Sequence, residues 1–326
     1  MQQLLSFILL DPDTYILIMW AVMLLVTVVI AVVCWRTRRR WLRLLLALPL
    51  LCCWYVFLWG TYVGFSKLEV KHVDLYFSDL PEAFEGYKIV QFCDAHLGTY
   101  TGRRADILRR AVDSINAQKA DAVVFTGDLQ NKEPSEIKQH EAQLERIKAR
   151  DGIFSVLGNH DYTMYTDLTD PVDIGRNQGN TEGYQMDMGW TLLMNERRII
   201  RRDSSRIVIA GMENDGEGRF PQRGNINSAL YGLSRNDFVV MLEHDPTSWR
   251  RRILPHSHTQ LTLSGHTHGG QLSILGLTPA MFSYREYQGL YRIGERTLYV
   301  SKGLGAVVPF RFGASPEIVV IRLHRK

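Results

Sequence analysis

The chain divides by its hydrophobic pattern into two unequal parts. From Tyr15 to Trp35 no residue is charged, and nearly every position is Ile, Leu, Met, Val, Ala or Trp. One bilayer crossing takes about 20 apolar residues, so this run is long enough to span. A second uncharged run, Leu44 to Phe65, is rich in Leu and carries Trp54, Tyr55, Trp59 and Tyr62 towards its far end, where an aromatic belt would lie. Pro49 within it is tolerated in a membrane helix. A cleaved signal peptide fits poorly, because no Lys or Arg precedes Arg36 and the apolar cores are long. The pattern predicts a helical hairpin anchor over residues 1–66, with spans at about 15–35 and 44–65.

After Phe65 the texture changes to short apolar runs between polar segments. Lys88–Cys93, Ala122–Thr126, Ile153–Leu157, Arg206–Ala210, Phe238–Leu242, Gln260–Leu263, Thr297–Val300 and Ile318–Ile321 read as buried strands, being short and rich in Val and Ile. Arg104–Lys119 and Ser135–Arg150 read as amphipathic helices, and Asn214–Asn227, rich in Gly and charge, as a surface loop. Strands alternating with helices predict one layered α/β domain over 67–326.

Composition adds three points. With 38 basic and 34 acidic residues the net charge of +4 is too small to indicate a nucleic-acid partner. Part of the basic excess is a cluster, Arg36, Arg38, Arg39, Arg40 and Arg43, between the two apolar runs. Positive loops stay cytoplasmic, so the turn is expected inside and the domain outside, at the inner membrane. Cys34, Cys52 and Cys53 lie in or beside the apolar runs and only Cys93 lies in the domain, so no intradomain disulfide framework is available.

The chemistry lies in five polar bursts that close predicted strands: Asp94-Ala-His96, Gly127-Asp128, Gly158-Asn159-His160-Asp161, His244-Asp245 and Gly265-His266-Thr267-His268. Each alone has a bland reading as an Asx-turn, a helix cap, a satisfied core histidine or a surface pair. Together they are more specific, because strand C-terminal ends converge on the ligand crevice of an α/β sheet. Of the ten histidines, His96, His160, His244, His266 and His268 sit at these ends. His72, His140, His256, His258 and His324 fall elsewhere and read as solvated. Clustered imidazoles and carboxylates suit divalent transition metals.

In this order the five segments resemble the signature of the calcineurin-like metallophosphoesterases, from about Leu80 to the C-terminus. The closing portion (Gly265 to Gln271, Tyr287 to Gly289, Gly303 to Arg311, then Pro316-Glu317-Ile318) resembles the membrane-associated, single-domain bacterial branch. Ala95 departs from the bulkier residues common between the first two ligands, at a position that is not itself a ligand. The resemblance implies an αββα sandwich of the metallo-dependent phosphatase type, two β-sheets flanked by helices. It assigns Asp94, His96, Asp128 and His268 to one metal and Asp128, Asn159, His244 and His266 to a second, with Asp128 bridging. The mixed N and O donors point to manganese, iron or zinc.

The implied reaction is attack on a phosphoester by a hydroxide held between two divalent metals. His160 is expected to act on the leaving oxygen or stabilise the transition state, and Asp161 to orient its ring. Lys302 and Arg311 read as solvated. The phosphoester substrate is open between a diester, a monoester and a lipid-linked pyrophosphate of the UDP-diacylglucosamine type, the last disfavoured by the outward orientation. A nuclease is disfavoured by the lack of a concentrated basic face. A non-catalytic membrane scaffold would be expected to carry degraded motifs, and these are intact.

Overall fold

The computed structural model describes residues 11–326. Two long helices come first, α1 (Pro12–Arg36) and α2 (Arg40–Tyr62), joined by the short turn that contains Arg38 and Arg39. Asp11 caps α1, accepting from the backbone N–H of Asp13 and Thr14. The helices pack along one seam, where Trp20 meets Trp54 and Phe57 and the Trp54 indole donates to Thr27 Oγ1. Leu17, Leu25, Leu44 and Leu48 point outward, each more than 60% exposed. An outer surface of this kind is stable in hydrocarbon and costly in water.

The rest is a sandwich of two six-stranded sheets. One has the order β1 (Glu69–Phe77), β12 (Glu317–Arg325), β2 (Lys88–Phe92), β3 (Ala122–Thr126), β4 (Ile153–Val156), β5 (Thr191–Leu192). The other runs β10 (Gly289–Ile293), β11 (Arg296–Val300), β9 (Leu261–Ser264), β8 (Phe238–Leu242), β7 (Ser205–Gly211), β6 (Glu196–Arg202). Between them lies one apolar layer containing Ile89, Val124, Ile209, Val240 and Leu263. Helices α3 (Ala105–Ala117) and α4 (Ser135–Leu144) cover the outer face of the first sheet around Phe92, Phe125 and Trp190. The outer face of the second is covered by Trp249 and Ile253. Strands buried on both faces read as unbroken apolar runs, and β3 and β8 are buried at every position.

The eight expected strands are all present, with β3 and β8 at the expected limits and the others within one residue at each end except the longer β12. Four more strands, one long helix and several short helical turns appear among the described residues. β6 carries the sequence Glu-Arg-Arg-Ile-Ile-Arg-Arg and buries only Ile200, because it is an edge strand whose charges face water. Ser135–Arg150 is not one helix. It stops at Leu144, after which the chain turns so that the N–H groups of Arg150 and Asp151 reach the carbonyls of Ala120 and Asp121 and lead into β4.

The unexpected helix is α5 (Pro171–Asp187), capped by Asp170, which accepts from Val172. Its glycines at 175, 179 and 183 hide it from propensity. A methyl group at any of the three would meet no atom within 4 Å. Alanine at each should therefore stabilise the protein by about 0.5–1 kcal/mol. The triple variant is expected to melt several degrees higher than the parent in a thermal scan.

Candidate metal centre

The sandwich positions the site simply. Asp94 follows β2, Asp128 follows β3 and Asn159 follows β4 in one sheet, while His244 follows β8 and His266 follows β9 in the other. All five lie just beyond strand C-terminal ends. Gln91 ties the two sheets beside them, donating from its amide to the Ser264 carbonyl and Thr126 Oγ1.

The backbone at these strand ends is unusual. Asp94, His96, Asp128, His266 and His268 all have positive φ, between 46° and 75°. Left-handed backbone is costly for such residues and tends to persist where the surroundings enforce it at functional sites. Glycines supply the room. A Cβ on Gly158 would lie 2.2 Å from Asp128 Oδ1, and one on Gly265 would lie 2.4 Å from Asp94 Oδ2.

The side chains converge around Asp128. Its Oδ2 is 3.2 Å from His244 Nε2 and 3.7 Å from His96 Nε2, and its Oδ1 accepts the backbone N–H of His160. On one side, Asp94, His96 and His268 offer atoms within 4.8 Å of one another; on the other, Asp128, His244 and His266 do the same. Nε2 of His96 is 3.1 Å from Nε2 of His268, and Nδ1 of His266 is 3.2 Å from Nε2 of His244. Asn159 donates its amide to Tyr165, while its Oδ1 is buried with no hydrogen-bond partner among the described residues. An orphaned buried carbonyl oxygen and ring nitrogens facing one another are what a divalent cation would satisfy. The donor set fits metal ions.

The electrostatics agree. Burial holds His96, His266 and His268 below the usual histidine range, which favours the neutral, ligating form. Burial also pushes Asp94 up to about 6. His244 behaves oppositely: burial disfavours its charge, but the carboxylates of Asp128 and Asp94 raise it to about 10. A proton on His244 thus supplies positive charge where a cation would bind. Its Nδ1 donates to the Thr126 carbonyl, leaving Nε2 turned to the cluster.

His160 joins the same group, its ligand atom within 4.8 Å of those of His96 and Asp128. The expected partnership with Asp161 is not present. Asp161 spends both oxygens on backbone, accepting N–H groups from Asp128, Leu129, Gln130 and Gly158. It ties together the two loops that carry Asp128 and Asn159. The His160 ring is held instead by the Asn131 carbonyl, 2.6 Å from Nδ1, and by Tyr165 stacked at 3.9 Å.

Other assignments also change. Arg311 is fully buried rather than solvated. Its guanidinium donates to the carbonyls of Lys302, Gly305, Ala314 and His268 and lies 3.3 Å from His268 Nδ1. Lys302 pairs with Glu317 at 3.2 Å. His140 and His258 are half-buried, and His324 pairs with Glu85 and stacks on Tyr76. The loop from Asn214 is anchored rather than wholly superficial: Asn214 and Asp215 are buried, and the Phe220 ring meets the His266 ring edge-on. Tyr284 completes the surround, its hydroxyl 2.9 Å from His266 Nε2.

A family model described as calcineurin-like phosphoesterase matches residues 87–270, which contain every candidate ligand. The chain belongs to this family. It is a metal-dependent phosphoesterase. It is 31% identical to an uncharacterised metallophosphoesterase of Bacillus subtilis, over 81% of this chain and 88% of that protein. A transmembrane protein with a metallophosphoesterase domain from Danio rerio is 32% identical over 79% of this chain, which spans 57% of that relative's length. Among solved structures, the phosphopantetheinyl hydrolase of Mycobacterium tuberculosis aligns at a TM-score of 0.44 with 11% identity, covering 69% of this chain and 91% of the other. The two apolar helices and the relatives named as transmembrane proteins suggest membrane association.

Proposed function

We propose that the chain is a membrane-anchored, binuclear phosphoesterase acting at the outer face of the inner membrane. The observation that carries this reading is the convergence of six side chains on a seventh, Asp128, from five strand ends of two sheets. Asp94, His96, Asp128 and His268 would hold one ion, and Asp128, Asn159, His244 and His266 the other. Asp128 suits the shared position because its two oxygens offer several lone pairs. When bound, the ions lower the pKa of a water and neutralise charge on the phosphoryl oxygens. In the hydrolysis a water oxygen forms the new P–O bond, the ester P–O bond breaks, and the leaving alcohol takes up a proton.

We assign the supply of that proton to His160. With Nδ1 committed to the Asn131 carbonyl, its Nε2 is free to serve the leaving oxygen. Burial holds His160 below the usual histidine range, so the ring gives up a proton readily once it carries one. His160→Ala is expected to lower kcat on a chromogenic phosphodiester by roughly 10²–10⁴-fold. Metal content, measured by mass spectrometry of the purified protein, should stay near that of the parent. Loss of metal along with activity would make His160 a ligand instead.

Metal identity is open to direct test. Stripped full-length protein in detergent, reloaded separately with manganese, iron or zinc, should bind two ions per chain and recover hydrolysis of bis-p-nitrophenyl phosphate. A reporter fused after Lys326 that is active only in the cytoplasm would reverse the orientation.

The hairpin supports the anchored reading through its contacts with the domain. Both of its outer ends meet the domain while the arginine turn lies at the far end. Asp13 pairs with Arg104 at 2.6 Å, and the Gly60 carbonyl accepts the backbone N–H of Arg311. Gly60 is required here: a Cβ at that position would lie 2.2 Å from the Phe310 ring.

A further inference from the structure

A cavity of about 620 Å³ lies where the hairpin meets the domain. Its walls include Tyr15 and Met19 of α1, Cys53 and Phe57 of α2, and Leu272 and Phe310 of the domain. The volume falls within the roughly 300–1,000 Å³ common for small-molecule sites. We propose that it receives the hydrocarbon chain of a lipid phosphoester whose phosphate is hydrolysed at the metal centre. The proposal rests on the phosphoesterase reading above and names its substrate class.

Three observations point to a lipid chain. Two walls of the cavity are helices whose outer surfaces are apolar and exposed, so the cavity is continuous with the region that hydrocarbon would occupy. The third wall adjoins the metal centre. Gln271 and Leu272 directly follow the turn His268–Gly270, and Phe310 precedes Arg311, which bonds to the His268 carbonyl. A chain lying in the cavity would thus have its polar end within a few residues of the ligands.

The third observation is the segment that continues this wall. Between Ile274 and Phe282 the domain displays Leu275 at 98% exposure, Phe282 at 86% and Leu277 at 64%. Such a cluster of large apolar side chains is unfavourable in water and suited to a bilayer surface. Ile274 belongs both to this segment and to the cavity wall. The domain therefore rests with its ligand-bearing loops towards the membrane. A lipid phosphate at the surface lies near the metal centre while its chain remains in hydrocarbon.

The test uses full-length, metal-loaded protein in detergent micelles and p-nitrophenyl esters of methyl phosphate and hexadecyl phosphate. Both break the same P–O bond and release p-nitrophenolate. The hexadecyl ester should show kcat/KM at least tenfold above the methyl ester. Met19→Trp and Cys53→Trp, which fill the cavity, should reduce that preference at least tenfold while leaving methyl-ester hydrolysis unchanged. Partition into micelles alone would leave the preference intact in both variants and overturn the proposal.

A second measurement needs no variant. Hexadecyl phosphate, but not methyl phosphate, should slow the reaction of Cys53 with N-ethylmaleimide at least tenfold. Equal reactivity with and without hexadecyl phosphate overturns the proposal. So does a thiol protected without any lipid. Hydrolysis of the methyl ester without chain-length preference refutes the lipid site alone. Hydrolysis of neither ester refutes the phosphoesterase reading with it.

Discussion

Asp128→Asn is expected to lower phosphodiesterase activity by about 10³-fold or more and to leave the purified protein short of both metals. The substitution preserves shape, so the loss would be chemical. Asp128 Oδ1 accepts the His160 backbone N–H, and Oδ2 faces Nε2 of both His244 and His96. Asparagine has one acceptor oxygen, and the His160 N–H claims it. The amide then points N–H groups at the two imidazoles, where a shared acceptor is required. Metals contribute several kcal/mol of charge stabilisation to a phosphoryl transition state, and each 1.36 kcal/mol is about tenfold in rate. Metal analysis and turnover measured on the same folded sample check this. Near-normal metal content with near-normal turnover would remove Asp128 from the bridging position.

The same residue shows how far the sequence was legible. Asp128 stands out because it follows a short apolar strand and a glycine, as do Asn159 and His266, while Asp94 and His244 close apolar strands without one. Strands buried on both faces announce themselves as continuous apolar runs, which is why β3 and β8 were found at their observed limits. Edge strands do not, since four of the seven residues of β6 are arginine and only Ile200 is buried. The supports of the site were also hidden. Asn131 meets His160 across 29 residues, and no local pattern marks a carbonyl that will orient a distant imidazole. The sequence neighbour Asp161 was the natural guess for that task. Four backbone N–H groups compete for it, and the fold uses it to brace two ligand loops.

Arg311 was misread for a related reason: a charged residue in a glycine-containing loop normally belongs to water. Here the loops it fastens leave carbonyl groups directed inward, and a planar guanidinium can satisfy several at once. It donates to the carbonyls of Lys302, Gly305, Ala314 and His268, while its own backbone N–H is bonded to Gly60 of α2. One residue therefore links α2, the C-terminal loops and a candidate ligand. Arg311→Met is expected to cost about 3–5 kcal/mol, because it leaves several buried carbonyls unpaired. For a domain of this size that lowers the melting temperature by on the order of 10 °C. Arg311→Lys should recover little, since one ammonium cannot span carbonyls on four residues. The signature that separates this role from simple loss of packing is at the metal centre. At temperatures where Arg311→Met is still folded, its metal affinity should be reduced about 10–100-fold, the usual consequence of freeing a ligand from its support. Unchanged affinity in a folded, destabilised variant would confine Arg311 to fastening the loops.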